Sequence, residues 1–220
     1  MSLTSKYLAV YNAASFSLWA YLAFLSLKLG PSLYAQGRLY DLYEALLYPF
    51  LTGTQSLAAI EVVHAAAGLV RASPVTTAIQ VIGKNLVVWT VMVQFPEVIV
   101  GQANQDSVGI WGFLGCVVFW SLSEIIRYGY FTVLLLTGDT PSWLKWLRYS
   151  AFIALYPPGL FSEACLVFLS LSRAENVSLP YRAYLVAGFL SYIPASYIMY
   201  TYMLSQRRKV LRTPENVVGI

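Results

Sequence analysis

Six long apolar runs constrain the fold of this chain more than any other feature of its sequence. A helix needs roughly 20 apolar residues to cross the hydrocarbon core of a bilayer. The predicted spans are residues 8–29, 51–70, 75–95, 110–136, 148–171 and 183–204, joined by short links that carry proline or glycine. We therefore predict an all-α polytopic membrane protein with six transmembrane helices, which form one membrane-embedded domain over residues 1–220.

The composition agrees with a membrane location. Only 11% of the residues are charged and 58% are hydrophobic, whereas soluble domains carry about 25% charged residues. Cys116 and Cys165 lie in apolar runs without metal-ligand spacing, so neither a disulfide framework nor a metal site is predicted. The net charge of +4 is modest and the basic residues are dispersed, so we expect no nucleic-acid partner.

The basic residues outside the spans predict the orientation of the chain. An even number of spans places both termini on one side of the membrane. That side collects eight Lys and Arg residues and the other side four, so the positive-inside rule makes the termini cytosolic. The eight are Lys6, Arg71, Lys145, Arg148, Arg207, Arg208, Lys209 and Arg212, and the four are Lys28, Arg38, Arg173 and Arg182.

Several charged residues remain at membrane depth, where each costs about 2.5–3.5 kcal/mol at a helix centre. They are Glu61, Lys84, Glu124, Arg127 and Glu163. One hypothesis is that they form ion pairs that join the helices, because three acids and two bases nearly neutralise one another. The other is that they line a polar cavity that holds chemistry.

Other polar residues share helical faces with these charges. Gln80 precedes Lys84 by four residues, and Glu124 precedes Tyr128 by four, so each pair lies on one face. The single histidine, His64, lies in an apolar run. We interpret it as a hydrogen-bonded packing residue rather than a ligand.

The segment "LYPPGLFSEACL" at 155–166 is unusual for a membrane helix. Tyr156 precedes a proline, which disfavours the α conformation, and Pro157 and Pro158 lack backbone N–H donors. We predict a break in the helix there, which lipid tolerates only where the break is buried or lines a cavity. If the segment were helical throughout, Tyr156 and Glu163 would share a face, with Cα atoms about 10.5 Å apart. The alternative to a catalytic pair is a proline kink with a hydrogen-bonded glutamate.

Five long segments of the chain together form a recognisable pattern. They are "YLAVYNAASFSLW" at 7–19, "IEVVHAAAGLVRASPVTTAIQVIGKNLVVW" at 60–89, "SLSEIIRYGYF" at 121–131, "PSWLKWLRYSAFIALYPPGLFSE" at 141–163 and "YTYMLSQRRKVL" at 200–211. In this order they resemble the 3-hydroxyacyl-CoA dehydratases of very-long-chain fatty acid elongation, the family of the plant PASTICCINO-type dehydratase. The resemblance covers nearly the whole chain.

The resemblance implies a six-span enzyme of the endoplasmic reticulum membrane with both termini in the cytosol. Its reaction would be the third step of the elongation cycle, in which (3R)-3-hydroxyacyl-CoA loses water to give trans-2-enoyl-CoA, a route to sphingolipid precursors. The expected partners are very-long-chain acyl-CoA, membrane lipid, and the ketoacyl synthase, ketoacyl reductase and enoyl reductase of elongation. Because the step is neither a redox reaction nor a hydrolysis, we expect no metal and no cofactor beyond the CoA thioester.

The resemblance also implies the catalytic residues. The "YPxGxxxE" motif of the family falls on Tyr156, Gly159 and Glu163, of which the tyrosine and the glutamate are catalytic. Lys84 departs from the family pattern, which has arginine there, so the charge is kept but the bidentate fork is lost. The candidate supporting or substrate-binding residues are Gly159, Glu61, Gln80, Lys84, Glu124, Arg127, Tyr128 and Arg148.

Dehydration of a 3-hydroxy thioester requires a base at C2 and an acid at the C3 hydroxyl, each within about 2.6–3.2 Å of its proton. A phenol, with an unperturbed pKa near 10, is the more natural donor. This favours Glu163 as the base and Tyr156 as the acid. The reverse assignment stays open, since Arg127, Lys84 or Arg148 would stabilise a tyrosinate. The donor to the thioester oxygen also stays open.

Two other function classes are kept as alternatives. Membrane acids and broken helices also mark substrate pathways, which is typical of a small-solute transporter, but no internal repeat is visible. A non-catalytic scaffold that holds the elongase subunits together is the second alternative. Measured flux would identify a transporter, and rescue by a catalytically dead variant would identify a scaffold.

Overall fold

The computed structural model describes residues 1–101 and 107–212, and the regular elements of these residues are all helices. Part of the predicted 96–109 link and the tail after 212 lie outside the described residues. The elements are α1 (Leu3–Ala35), α2 (Asp41–Leu46), the π-helix π1 (Leu47–Leu51), α3 (Thr52–Leu57), α4 (Ala59–Ala66), α5 (Pro74–Val87), the π-helix π2 (Val88–Met92), α6 (Pro96–Val100), α7 (Val108–Thr137), α8 (Ser142–Ser150), α9 (Phe152–Ala174) and α10 (Leu179–Arg212).

The prediction of an all-α protein with six membrane spans is confirmed. Six helical segments of the described chain are long and apolar enough to cross a bilayer. They are Leu3–Ala35, Asp41–Ala66, Pro74–Met92, Val108–Thr137, Ser142–Ala174 and Leu179–Leu211. Most of them extend beyond the predicted boundaries, because the helices continue past the apolar runs into the flanking polar residues.

The predicted link over residues 30–50 is wrong, because most of it is helical. The second span begins at Asp41 and passes Pro49 through π1. The amide of Thr52 there donates to the carbonyl of Leu47, five residues earlier. This wider turn keeps the chain helical around a proline that has no N–H to donate, as a lipid environment requires.

The predicted helix break at Pro157 and Pro158 is also wrong. α9 runs through both prolines, and the discontinuity lies earlier, at Ala151 between α8 and α9. The prolines occupy the second turn of α9 and deprive only the carbonyls of Ile153 and Ala154 of their usual partners. A few missing bonds near a helix start are tolerated better than a non-helical stretch in hydrocarbon.

α7 is the central helix, with α1 on one side and α9 on the other. α10 packs against α9 and α8, and α5 packs against α4. Most of the buried apolar core lies toward the 36–40 link and includes Leu46, Met92, Phe113 and Leu166. The opposite half of the bundle holds a large cavity.

Small residues bring α7 and α9 close together. A Cβ atom on Gly115 would overlap the Ser162 hydroxyl oxygen and lie 2.9 Å from Ser162 Cβ. One on Gly112 would lie 3.1 Å from Leu166 Cγ. Such contacts are how small residues let membrane helices approach. Because Glu163 follows Ser162 directly, this approach also determines where Glu163 lies relative to α7.

Gly115→Ala is expected to destabilise the protein by about 1–3 kcal/mol, because the new methyl group forces α7 and α9 apart. The matched control is Gly188→Ala on α10, where a Cβ meets no atom within 4 Å. Thermal unfolding of the two variants in detergent gives the measurement. Equal melting temperatures for Gly115→Ala and the wild type would contradict the close packing.

Candidate active site

A cavity of about 720 Å³ lies in the half of the bundle opposite the apolar core. Its walls come mainly from α5, α7, α9 and α10. The predicted site residues that line it are Glu61, Gln80, Lys84, Glu124, Arg127, Arg148, Tyr156, Gly159 and Glu163. Tyr128 lies outside this lining. The structure thus brings together all of the predicted site residues except Tyr128 around one space.

Tyr156 and Glu163 both line the cavity from α9. Because α9 is continuous through the prolines, they lie two turns apart on one face, with Cα atoms about 10.5 Å apart. Side chains of a helix lean toward its N-terminus, so that of Glu163 leans toward Tyr156. Gly159 lies between them and is buried, and a Cβ there would lie 3.4 Å from Phe119 Cβ. The glycine therefore keeps this part of α9 close to α7.

Neutral donors hold the carboxylate of Glu163. The indole N–H of Trp120 donates to its Oε1 at 2.7 Å, and the hydroxyl of Tyr192 donates to its Oε2 at 3.3 Å. Among the described residues, no basic side chain forms an ion pair with Glu163. A proton can therefore be taken up or released by this carboxyl without breaking an ion pair.

The hydroxyl of Tyr156 is available to a ligand. The side chain is half-buried at the cavity wall, and its ring centroid lies 6.2 Å from that of Tyr200. Within the described part of the chain, the phenolic oxygen of Tyr156 has no hydrogen-bond partner. The sequence motif thus places one unpartnered phenol and one carboxyl without a cation in the same cavity.

The other four intramembrane charges pair with one another. Arg127 donates to both carboxylate oxygens of Glu61, at 2.7 and 2.8 Å, and its Nε donates to Glu124 at 2.6 Å. The ammonium of Lys84 donates to the other oxygen of Glu124, also at 2.6 Å. The ion-pair hypothesis is confirmed for these four residues. Two acids balance two bases, and Glu163 is the acid left over.

A shell of aromatic hydroxyls surrounds the Glu61 end of this network. Tyr128 donates to Glu61, and the hydroxyl of Tyr11 lies 3.5 Å from the same carboxylate. His64 is buried and shares a 2.8 Å hydrogen bond with the hydroxyl of Tyr7. The prediction that His64 is a hydrogen-bonded packing residue is therefore confirmed. Tyr7 and Tyr11 connect α1 to the network.

Trp120 stands between the ion network and Glu163. The ammonium of Lys84 lies 5.5 Å from its ring centroid, within the range of a cation–π contact, while its N–H holds Glu163. Neither Trp120 nor Tyr192 was predicted from the sequence. Trp120 precedes Glu124 by four residues on α7, and that spacing was a usable signal. Tyr192 is one of 17 tyrosines, and nothing in its own sequence context distinguishes it.

Two arginines give one end of the cavity a positive charge. The guanidinium of Arg148 lies against the rings of Phe131 and Tyr149, with its central carbon 5.9 and 5.6 Å from their centroids. Its Nε is buried without a hydrogen-bond partner in the described part of the chain. Arg71 also lines the cavity, and neither arginine forms an ion pair with a described carboxylate. This end is therefore suited to an anionic group.

Comparisons with known proteins agree on one family. The family model described as "Protein tyrosine phosphatase-like protein, PTPLA" matches residues 55–213. A Schizosaccharomyces pombe protein named "Probable very-long-chain (3R)-3-hydroxyacyl-CoA dehydratase" is 42% identical over 71% of this chain and 71% of its own length. Very-long-chain (3R)-3-hydroxyacyl-CoA dehydratase PASTICCINO 2 of Arabidopsis thaliana is 36% identical, over 93% and 92%. Very-long-chain (3R)-3-hydroxyacyl-CoA dehydratase 2 of Homo sapiens is 33% identical, over 97% and 84%. No solved structure matches the chain.

Arg127→Met is expected to destabilise the protein by about 3–5 kcal/mol, because it leaves Glu61 and Glu124 without their shared cation. The control is Arg182→Met, which breaks an exposed 2.5 Å pair with Glu175. Exposed pairs contribute about 0–1 kcal/mol. Unfolding of both variants in detergent gives the comparison. Similar losses would mean that the intramembrane network does not hold the helices together.

Proposed function

We propose a dehydratase function for this chain, which belongs to the PTPLA family of protein tyrosine phosphatase-like proteins. In this proposal it removes water from very-long-chain (3R)-3-hydroxyacyl-CoA to give trans-2-enoyl-CoA, the third step of fatty acid elongation. One observation carries the proposal. Glu163, the intramembrane acid without a cation, shares a cavity and a helix face with the unpartnered hydroxyl of Tyr156. A carboxyl and a phenol are the base and the acid that this elimination requires.

In the proposed reaction, the carboxylate of Glu163 removes a proton from C2 of the substrate. The electrons of the C2–H bond form the C2=C3 double bond as the C3–O bond breaks. Tyr156 gives its hydroxyl proton to the departing oxygen, which leaves as water. A proton then passes from Glu163 back to the phenolate of Tyr156, and the pair is ready for the next substrate. Trp120 and Tyr192 are positioning residues, because they act by holding Glu163.

The thioester oxygen gains negative charge as C2 loses its proton, so it needs hydrogen-bond donors. Lys84 uses one of its three N–H groups on Glu124, and the side chain of Gln80 donates to no described residue. Both line the cavity from α5, and we assign the oxygen to them. All three donor nitrogens of Arg127 are engaged with carboxylates, so its role in the proposal is to hold the helices.

We place the phosphates of CoA at the positive end of the cavity, against Arg71 and Arg148. Arg148 precedes Glu163 by fifteen positions, which corresponds to about 22 Å of helical rise. The extended pantetheine arm of CoA covers most of this distance, and the long side chains of Arg148 and Glu163 reach toward it from both ends. The same end carries the basic residues near both termini, so the positive-inside rule supports a cytosolic mouth.

This placement agrees with an enzyme of the endoplasmic reticulum membrane whose termini are cytosolic. The ketoacyl synthase and ketoacyl reductase would supply its substrate, and the enoyl reductase would consume its product. The elimination is neither a redox reaction nor a hydrolysis, so the proposed chemistry requires no cofactor beyond the thioester itself.

The test of this function is turnover of a C18 (3R)-3-hydroxyacyl-CoA by purified protein in detergent. Tyr156→Phe and Glu163→Gln are each expected to lower turnover by about 10²–10⁴-fold, the usual contribution of an acid or a base. Tyr197→Phe and Glu175→Gln are the matched controls, because both side chains are exposed and neither lines the cavity. The controls should keep wild-type rates, and all four variants should keep wild-type melting temperatures.

Two results would contradict this account in different ways. A folded wild-type protein without turnover would refute the dehydratase and favour a scaffold or a transporter. Wild-type rates in both Tyr156→Phe and Glu163→Gln would keep the dehydratase but move its chemistry to other side chains of the cavity.

Arg148→Met is expected to raise KM for the CoA substrate by about tenfold or more, because a hydrogen bond to a charged group contributes about 1.5–3 kcal/mol. A thioester of N-acetylcysteamine lacks the phosphates, so its KM should not change. Lys145→Met is the control, since Lys145 lies on the same helix but does not line the cavity. Equal KM increases for both thioesters would mean that Arg148 does not bind phosphate.

A further inference from the structure

α5 and α10 form opposite walls of the cavity but pack against different neighbours. α5 lies against α4, and the side-chain amide of Asn85 donates to the carbonyl of Gln55 in α3 at 3.3 Å. α10 lies against α9 and α8, and the guanidinium of Arg207 donates to the hydroxyl of Ser150 at 3.0 Å. At this end of the bundle each helix is therefore held to its own side of the cavity.

The hydrogen bond and ring contact seen between the two walls in the described residues lie toward the apolar core. The hydroxyl of Tyr181 in α10 donates to the carbonyl of Thr90 in π2 at 2.6 Å. The ring of Tyr181 also contacts that of Phe95, with centroids 5.9 Å apart. α10 is thus joined to the end of the third span, Pro74–Met92. On the side of this contact away from the apolar core, the cavity lies between the third span and α10.

Several residues that line the cavity from these helices have large solvent-accessible fractions. Ile79 on α5 is 64% exposed, and Tyr202 on α10 is 48% exposed. Gly83 and Ala195 likewise line the cavity and are exposed. Because α5 and α10 do not pack against each other in the described part of the chain, we interpret these accessible residues as the borders of an opening. The cavity therefore opens sideways between α5 and α10.

This opening lies at the depth of the hydrocarbon core. Gly83 is the central residue of the span Pro74–Met92, and Ala195 is the central residue of the span Leu179–Leu211. The ends of a span lie in the headgroup regions and its centre lies among the acyl tails. The opening is therefore bordered by lipid tails rather than by water.

The chemistry of the opening also fits a hydrocarbon. The cavity lining near the middle of the two helices includes Ile79 and Gly83 on α5 and Ala195 and Met199 on α10, and we call these four residues the lateral slot. None of them carries a charge or a hydrogen-bonding side chain. Methionine adapts its shape to an irregular apolar partner, which suits contact with a flexible chain.

We infer that the acyl chain of the thioester substrate leaves the cavity through the lateral slot and extends among the lipid tails. The inference rests on the proposed function and adds where the chain lies during the reaction. The thioester lies at Tyr156 and Glu163, and the CoA phosphates lie at the opposite, positive end. The protein then encloses only the carbons near the thioester, so carbons beyond the slot do not affect catalysis.

Gly83→Phe tests the slot, with Gly188→Phe as its matched control. A Cβ at either glycine meets no atom within 4 Å, so both variants are expected to fold. Gly83 borders the slot, whereas Gly188 is exposed on α10 and does not line the cavity. For each variant, kcat/KM is measured with C6 and C18 (3R)-3-hydroxyacyl-CoA in lipid nanodiscs.

The expected result is that Gly83→Phe lowers the ratio of C18 to C6 kcat/KM by about tenfold or more, because the longer chain loses its apolar path. Gly188→Phe should leave the ratio at its wild-type value. An unchanged ratio in Gly83→Phe would overturn the lateral slot while leaving the dehydratase intact. Absence of turnover by the wild type at either length would instead refute the proposed function, and the slot inference with it.

A second measurement tests the slot without a mutation. Wild-type kcat/KM in nanodiscs is compared for C18, C22 and C26 substrates. The inference predicts equal values within about twofold, since the added carbons lie in lipid, which is as apolar as the protein interior. A sharp loss beyond one chain length would overturn it, because such a limit requires a closed pocket of fixed depth.

Discussion

The arrangement of the site depends on Arg127, whose positive charge is shared by two carboxylates inside the membrane. An unpaired charge in hydrocarbon is costly, so each acid at this depth needs a cation or a proton. Arg127 binds Glu61 and Glu124 together, and Lys84 completes the neutralisation of Glu124. These pairs join α4, α5 and α7 around the cavity. Because they consume both cations, Glu163 is left with neutral partners and is free to exchange a proton.

The apolar core and the polar cavity lie in opposite halves of the helix bundle. The half toward the 36–40 link is filled by large apolar side chains and closes where Tyr181 meets Thr90. The other half contains the cavity in place of such a core. There, the ion pairs among Glu61, Lys84, Glu124 and Arg127 connect the helices. α5 and α10 can therefore be separated by the cavity beside the site, because the contact between Tyr181 and Thr90 holds α10 to the third span next to the apolar core.

Regular features of single helices were predictable from the sequence, and contacts between helices were not. Apolar run length gave the six spans, and helical spacing placed Tyr156 and Glu163 on one face. The helix break predicted from the local preference of proline at Pro157 was wrong. In hydrocarbon a non-helical backbone is more costly than the hydrogen bonds that proline removes, so the helix continues. Trp120 and Tyr192 were missed because their role comes from contact with a different helix. Spacing within α7 places Trp120 on the face of Glu124, but it does not identify the partner that Trp120 contacts on another helix.

We propose that Glu163, among the intramembrane glutamates Glu61, Glu124 and Glu163, is the one that moves a proton. The most direct measurement is turnover per folded molecule for Glu61→Gln, Glu124→Gln and Glu163→Gln, made side by side at low temperature. We predict that Glu163→Gln folds as the wild type does but loses turnover. Glu61→Gln and Glu124→Gln should unfold more easily, yet their folded molecules should still react. Wild-type turnover in Glu163→Gln, with loss in a folded Glu61→Gln or Glu124→Gln, would contradict the account.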